Sequence, residues 1–180
     1  MNTLDAIKTR RSVRRYTTKE VPPQTIEEIV NLATYAPSWK NSQTTRYTAV
    51  LNSDLKKKIA NECVLDFDGN KKIIDNAPTL IVVTTINNRS GYERDGSPST
   101  SKGNHWQSFD AGIASYTFCL AAHELGLSTI ILGIFDEDKI LSILNIPDGQ
   151  SVSALIALGY SEDELAAPPR KDASILLTIK

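Results

Sequence analysis

The sequence predicts an α+β domain arranged around one central sheet. An apolar, β-branched run at residues 79–86 is typical of a strand covered on both faces, and a long apolar segment at 108–125 has helical character. Shorter helical and strand-like segments surround these two. No repeat and no obvious boundary interrupts the chain, so residues 1–180 are expected to form a single domain.

The first half of the chain alternates between helix and strand patterns. Asn2 or Thr3 can cap a short helix, and apolar residues at helical spacing between Ile26 and Ala33 predict a second helix, which Pro37 ends. The predicted elements are helices up to Thr9 and from about Ile26 to Pro37, a strand over 46–51, a lysine-rich helix over 54–62 and the central strand over 79–86.

A polar segment without periodicity at residues 87–105 begins the second half. Long loops of this kind in compact domains are often functional lids or disordered. The helix that follows is apolar around most of its circumference, which favours deep burial, with a second subunit as one candidate cover. The predicted elements are this helix over 108–125, a strand over 128–133, a helix capped by Asp136, a strand over 151–159, a basic turn at 168–171 and a β-like tail over 173–179.

The composition is that of an ordinary globular protein without surplus charge. Its 20 basic and 21 acidic residues give a net charge of −1, whereas a nucleic-acid binder would carry a basic surplus. No run of about 18 apolar residues predicts a membrane span, and no apolar N-terminal stretch predicts a signal peptide, so a cytoplasmic location is expected. Cys63 and Cys119 are too few for a disulfide framework or a zinc site.

Residues 10–16 hold the strongest functional signal, because four of these seven residues are arginines. Guanidinium binds phosphate in a bidentate manner, and the Ser12 hydroxyl adds a donor. Arg10 and Arg14 would converge on one phosphate if the segment turns. The neutral overall charge favours a local anion site, and a solvated arginine face is the alternative.

Standard catalytic motifs are absent. His105 and His123 are the only histidines, and neither has a partner at metal-ligand spacing, so a structural or surface role is expected for His123. No nucleophile elbow, Walker A loop or Rossmann glycine motif is present. A chain that binds an anion but lacks nucleophiles and bases is expected to take its chemistry from a cofactor.

Two further segments suit a bound cofactor. Residues 37–43 are rich in amide and hydroxyl groups, which fit the hydrogen-bonding edge of a heterocycle, and residues 168–171 add a second cationic patch. Each segment also has an ordinary interpretation: residues 37–43 as a helix-terminating turn, and residues 168–171 as a solubilising surface.

Taken together and in order, these segments resemble the nitroreductase family of FMN-dependent oxidoreductases over nearly the whole chain. The motifs that carry the resemblance are Arg10-Arg11-Ser12-Val13-Arg14-Arg15-Tyr16, Ala36-Pro37-Ser38-Trp39-Lys40-Asn41-Ser42-Gln43, Ala77-Pro78, Asp110-Ala111-Gly112-Ile113-Ala114, Leu120-Ala121-Ala122-His123-Glu124-Leu125-Gly126-Leu127, Ile146-Pro147, Leu158-Gly159-Tyr160 and Pro169-Arg170-Lys171.

The resemblance implies a mostly antiparallel sheet flanked by helices, a long buried helix at a dimer interface and a C-terminal strand exchanged with the partner. It implies a homodimer with FMN at the interface, and no nucleic-acid or membrane partner. Hydride would pass from NADH or NADPH to flavin N5 and then to nitroaromatic, quinone or similar acceptors by a ping-pong mechanism, with no catalytic side chain. Dehalogenation, flavin cleavage or a non-catalytic flavin-binding redox module are the alternatives.

The resemblance also implies the site residues. Arg10, Ser12 and Arg14 would contact the flavin phosphate, ribityl chain and pyrimidine edge; Arg11 joins this candidate set, although its alternate position favours a structural or solvent-facing role. The remaining cofactor candidates are Pro37, Ser38 and Asn41 from the partner, Lys72 near the pyrimidine, Leu132 and Gly133 at the ring, and Arg170 and Lys171 at the phosphate. Trp39, Lys40 and Trp106 are the substrate-side candidates; Trp39 departs from the usual family motif and has packing as its alternative role, and no metal is expected.

Overall fold

The computed structural model describes residues 2–180, and four antiparallel strands form its central sheet. The strands lie in the order β1 (Thr45–Val50), β2 (Thr79–Ile86), β4 (Gln150–Gly159) and β3 (Ser128–Leu132). Every neighbouring pair is antiparallel. The sequence predicts all four strands to within one residue at each end.

Seven helices are present among the described residues. They are α1 (Thr3–Thr9), α2 (Pro23–Ala33), α3 (Ser53–Glu62), α4 (Asp68–Asn76), α5 (His105–Glu124), α6 (Glu137–Ile143) and α7 (Ala173–Leu176). The side chains of Asn2, Asn52 and Asp136 cap α1, α3 and α6 by accepting a backbone N–H three residues on. None of the described helices has both the length and the apolar character needed to cross a membrane.

Both faces of the sheet are covered by helices, which explains why β2 and residues 154–158 of β4 are mostly apolar. Alternate residues of β2 point to opposite faces, so Leu80 and Val82 pack with α3, α4 and α6, whereas Ile81 and Val83 pack with α2 and α5. β4 divides its residues in the same way. Side-chain burial on both faces is the arrangement expected for a three-layer α/β/α packing.

The arginine-rich segment is held in extended form along the open edge of β3. Ser12 pairs with Thr129 in a parallel bridge, and the Val13 N–H donates to the Thr129 carbonyl at 3.0 Å. Tyr16 fixes the far end, because its hydroxyl donates to the Val13 carbonyl at 2.8 Å. Burial raises the pKa of the Tyr16 phenol.

The segment at 87–104 contains no helix or strand, as predicted, but it folds into an ordered cap. Tyr92 and Pro98 form an isolated bridge, and the Glu93 N–H donates to the Ser97 carbonyl at 2.8 Å. Gly91 is buried with φ +85°, and a Cβ there would lie 2.7 Å from Trp106 Cδ1. The residue must therefore be glycine for the cap to pack against α5.

Several sequence predictions of helices need correction. α4 was not predicted, because Gly69 and Asn70 weaken the helical signal and its stability comes from burying Ile73 and Ile74. α2 ends at Ala33 rather than at Pro37, and α5 begins at residue 105, not 108, and ends at Glu124.

The C-terminal tail differs most from its prediction. Instead of a strand over 173–179, residues 173–176 form the single turn α7, and no strand follows. Almost every residue from 162 to 180 is exposed, including the apolar side chains of Leu165, Ile175, Leu176, Leu177 and Ile179. The exchange of this segment with a partner subunit stays a prediction.

Candidate active site

A groove of about 780 Å³ lies between α4 and the end of β3. Phe67, Ile73, Ile130 and Leu132 give it apolar surface. Arg14 is part of its lining, on the segment that runs beside the strand. Four sequence-predicted cofactor residues therefore line one groove, namely Arg14, Lys72, Leu132 and Gly133.

The groove is electropositive, because Arg14, Arg15 and Lys72 line it and no carboxylate does. Arg15 is neutralised by Asp163, at 3.0 Å. The Arg14 guanidinium makes only a 3.3 Å hydrogen bond to the Ser12 carbonyl, and the Lys72 ammonium has no hydrogen bond or ion pair with any described residue. Arg14 and Lys72 are thus free to bind an anionic group.

The outer edge of β3 supplies backbone donors to this groove. Thr129 faces outward, since its carbonyl accepts from Val13, and alternate residues of a strand direct their backbone groups to the same side. Ile131 and Gly133 therefore face the groove as well. Among the described residues, no backbone hydrogen bond reaches this edge beyond Thr129. A Cβ at Gly133 would meet nothing within 4 Å, so the space beside it is open.

Two asparagines of α4 complete the groove and were missed by sequence reasoning. Asn70 is buried and donates through Nδ2 to the Ile134 carbonyl at 2.9 Å, and Asn76 Oδ1 accepts from the Tyr16 N–H at 2.7 Å. These two hydrogen bonds connect α4 to the end of the β3 segment at Ile134 and to the N-terminal segment at Tyr16. The available signal was spacing, because Asn70 precedes Ile73 and Ile74 by one helical turn and shares their buried face.

Arg10 and Arg11 lie away from the groove, in a second cavity of about 140 Å³. The Arg10 guanidinium lies 5.9 Å from the centre of the Tyr116 ring, and Arg11 donates to the Lys8 carbonyl at 2.7 Å. Nε of each arginine is buried without a hydrogen-bond partner among the described residues. The predicted convergence of Arg10 and Arg14 on one phosphate does not occur in this conformation: they line different cavities, because extended backbone separates residues four apart by about 13 Å.

His123 has a structural position beside the same cavity. Its Nε2 lies 2.8 Å from Thr9 Oγ1, and this contact ties α5 to the end of α1. Burial first, and then the positive charge of Arg10, hold the pKa of His123 below its usual range. No group of His, Cys, Asp or Glu in the described part of the chain could hold a metal ion.

Pro37, Ser38 and Asn41 lie near the opposite edge of the sheet. Pro37 and Ser38 line a cavity of about 330 Å³ beside β1, so one chain does not bring them to the groove. Asn41 adopts φ +55° and the preceding Lys40 adopts φ +45°, left-handed conformations that cost about 1–2 kcal/mol for such residues. Strained loops of this kind often occur at functional sites.

The substrate-side candidates Trp39, Lys40 and Trp106 come together at the cap. The ring centres of Trp39 and Trp106 are 4.8 Å apart, so Trp39 packs against another tryptophan. Lys40 Nζ donates to Glu93 at 3.0 Å. Below them the buried Asp110, also missed by sequence reasoning, accepts from the Trp39 N–H at 2.9 Å and from the Ser90 hydroxyl at 2.5 Å.

Arg170 and Lys171 are not brought to any of these cavities. Both are exposed on the C-terminal tail, and Arg170 donates only to the carbonyls of Pro168 and Pro169, at 3.1 and 3.3 Å.

Comparison with known proteins identifies the family. A sequence model described as "Nitroreductase family" matches residues 7–69 and 64–160. The match spans well over half of the chain, and the order of the motifs agrees with it. The chain belongs to the Nitroreductase family.

Individual relatives have several names. An NADH dehydrogenase/NAD(P)H nitroreductase of Methanothermobacter thermautotrophicus is 32% identical, over 89% of this chain and 78% of its own length. The FMN reductase [NAD(P)H] of Bacillus subtilis is 27% identical, over 89% of this chain and 66% of its own. An iodotyrosine deiodinase of Haliscomenobacter hydrossis is 27% identical, over 94% of this chain and 85% of its own length.

Solved structures share the fold. A nitroreductase family protein from Clostridium novyi NT superposes with a TM-score of 0.78 and 29% identity, over 91% of this chain and 87% of its own. An oxidoreductase described as containing FMN superposes with a TM-score of 0.73 and 28% identity, over 88% of this chain and 77% of its own.

Proposed function

We propose that this chain is an FMN-dependent oxidoreductase that uses NADH or NADPH as reductant. The observation that carries the proposal is the groove between α4 and β3, where two free cations and an unpaired sheet edge meet apolar walls without a carboxylate. A planar, amphipathic, anionic cofactor matches such a surface. The names of the FMN reductase and FMN-containing relatives support the choice of FMN.

The residues fit FMN in a definite order along the N-terminal segment. Extended backbone from Arg10 to Arg14 spans about 13 Å, so the two arginines can serve opposite ends of one elongated ligand. We place the phosphate near Arg10, where the buried Nε atoms of Arg10 and Arg11 lack partners, and the ribityl chain near Ser12. The pyrimidine edge then lies near Arg14 and Lys72. Arg170 and Lys171 complete the phosphate site only if the tail moves to it.

The chain's own residues orient and polarise the flavin rather than react. When bound, FMN supplies the redox chemistry, accepting hydride at N5 and returning it to an acceptor. Arg14 and Lys72 place positive charge where negative charge develops at the pyrimidine, which favours reduction. The outward N–H of Gly133 can donate to the ring at N5.

We further propose that the working form is a homodimer. Phe109, Ile113 and Tyr116 form a stripe at helical spacing on α5, and Phe109 and Tyr116 are 59% and 40% exposed. Leu4 and Ile7 of the adjoining α1 are exposed at the same side of the molecule. Pairing of these faces would bury the stripe and would bring Pro37, Ser38 and Asn41 of the partner to the flavin. A cytoplasmic location stays a prediction.

The proposed acceptors are nitroaromatics, quinones or similar compounds, reduced in a ping-pong sequence. The experiment is an anaerobic titration of the yellow, FMN-loaded protein with NADH and with NADPH, followed by addition of a quinone or a nitroaromatic compound. Bleaching by nucleotide and return of colour with the acceptor are expected. A yellow protein that neither nucleotide reduces would contradict the proposal.

Dehalogenation is the second candidate reaction, favoured by the similarity to an iodotyrosine deiodinase. It is tested by adding iodotyrosine to the chemically reduced protein. Release of iodide without reduction of quinones or nitroaromatics would favour this alternative.

A further inference from the structure

A cavity of about 430 Å³ lies between the cap (residues 87–104) and the Trp39–Lys40 turn, apart from the flavin groove. Its cations are Lys40, Arg89 and Arg94, and its one carboxylate is Glu93. Trp39 and Tyr92 add aromatic surface. The volume is within the range of sites that bind small organic ligands.

The charges of this cavity leave two guanidiniums free. Glu93 accepts from Lys40 at 3.0 Å and from the Ser99 hydroxyl at 2.5 Å, and these two contacts, Ser99 first, lower the pKa of Glu93. The carboxylate is therefore ionised and already engaged. Arg89 and Arg94 are exposed, and their guanidiniums form no hydrogen bond or ion pair with any described residue. The cavity thus presents two guanidiniums without a side-chain partner beside the neutralised Lys40–Glu93 ion pair.

The cap holds these arginines on a rigid support. Ser90, next to Arg89, is fully buried and donates to Asp110, and Gly91 packs directly on Trp106. Arg94 lies within the turn closed by the Glu93–Ser97 hydrogen bond of 2.8 Å. Because the backbone at both arginines is fixed, ordering of the cap adds little entropic cost when a ligand binds.

We propose that Arg89 and Arg94 bind the 2′-phosphate of NADPH and make this cavity the site that selects NADPH over NADH. Guanidinium is the side chain best matched to a phosphate dianion, and the two nucleotides differ only by this group. Trp39 and Tyr92 line the same cavity and supply aromatic surface that the adenine can contact. The assignment rests on the proposed function, because it requires a flavin reduced by a pyridine nucleotide at the neighbouring Pro37–Asn41 segment of the dimer.

Intrinsic fluorescence is a suitable probe of binding here, because Trp39 and Trp106 are the only tryptophans of the chain, both lie at the cap, and Trp39 lines the cavity. FMN-loaded protein is titrated with 2′,5′-ADP and, separately, with 5′-ADP. The variants are Arg89→Gln with Arg94→Gln, and Arg89→Lys with Arg94→Lys. The control is Lys57→Gln with Lys58→Gln, which removes two exposed charges from α3.

The wild-type protein is expected to bind 2′,5′-ADP more tightly than 5′-ADP. The double glutamine variant should lose about 100-fold in affinity for 2′,5′-ADP, roughly tenfold for each charged contact. The affinity of the double lysine variant for 2′,5′-ADP should lie between those of wild type and the glutamine variant, and the affinity of the control should match wild type. Equal binding of the two probes by wild type, or equal loss in the control and the glutamine variant, would overturn the assignment.

Failure of this site and failure of the proposed function have different signatures. Reduction of the flavin by NADH with no preference for 2′,5′-ADP over 5′-ADP would overturn the NADPH site and leave the oxidoreductase in place. Arginine-dependent binding of 2′,5′-ADP by a protein that takes up no added FMN would support the phosphate site and refute the flavin function.

Discussion

Arg14 and Arg15 are neighbours in sequence with the same charge, yet their surroundings assign them different roles. Arg14 is nearly unengaged in the groove, whereas Arg15 is paired with Asp163. We expect Arg14→Ala to weaken FMN binding by about 10- to 100-fold, the loss of one charge-assisted contact of about 1.5–3 kcal/mol. Arg15→Ala is the matched control and should change FMN affinity little. Fluorescence titration of the apoprotein with FMN measures both affinities. Equal losses of FMN affinity in the two variants would argue against the groove as the FMN site.

His123 gives the stability of the protein a pH dependence of known sign. Its pKa is lowered in the folded state relative to about 6.5 when unfolded, so the unfolded chain takes up a proton first. The stabilisation is present above the unfolded pKa and is lost as pH falls through the folded value. His123→Gln can keep a contact with Thr9 without titrating. Urea unfolding at about pH 7.5 and about pH 5 should show a smaller loss of stability for the variant; parallel losses would show that His123 is not responsible.

The candidate residues that the structure brings together are those that short local motifs position. Arg14, Lys72, Leu132 and Gly133 line one groove because short motifs fix them beside β3 or on α4. The expected convergence of Arg10 with Arg14 failed because Ser12 pairs with Thr129, more than a hundred residues away, and that pairing keeps the segment extended. A contact at such sequence separation leaves no periodic signal in either partner.

Between elements, Asp110 of α5 joins the Trp39 turn to the cap. Removing its carboxylate leaves the Trp39 N–H and the Ser90 hydroxyl without their acceptor, in a largely buried position. Asp110→Ala is expected to lower the free energy of unfolding by about 2–3 kcal/mol. Ser90→Ala removes one of the two bonds and should cost about half as much. Urea denaturation measures both, and an Asp110→Ala variant as stable as wild type would contradict this role.

The C-terminal tail is the element whose proposed role requires a partner subunit. Its apolar side chains are exposed and it packs on nothing substantial in one chain, so deleting residues 166–180 should leave the sheet folded. We expect the deletion to weaken the dimer and to lose FMN, measured by sedimentation velocity and flavin content. Arg170→Ala with Lys171→Ala should lose FMN affinity without weakening the dimer. A truncated protein that dimerises and retains FMN as tightly as the full chain would refute the exchange.

Helices and strands could be predicted from the sequence where burial imposes a recognisable pattern of apolar residues. β2 and β4 are covered on both faces and read as continuous apolar runs, and α2 shows one apolar stripe. α4 has too few apolar residues to show a period, and the tail is β-branched and apolar without any sheet of its own chain to join. Their conformations depend on tertiary or partner contacts that no local window contains.

At the scale of the whole molecule, one sheet couples two hydrophobic clusters, one on each face. We propose that residues 1–180 form a single folding unit for this reason. Within it, the flavin groove lies at the β3 edge and the Pro37–Asn41 turn with its cap lies near the β1 edge. In the proposed dimer, a complete active site would therefore require two copies, each giving one half to the other.

A crystal structure of the protein with FMN tests this account most directly. It should show a dimer in which the flavin ring lies between α4 and β3, with Arg14 and Lys72 at the pyrimidine and the Gly133 N–H directed at the ring. The Pro37–Asn41 turn on the other side should belong to the partner. FMN bound to a monomer, or bound beside Pro37 and Ser38 of its own chain, would contradict the account.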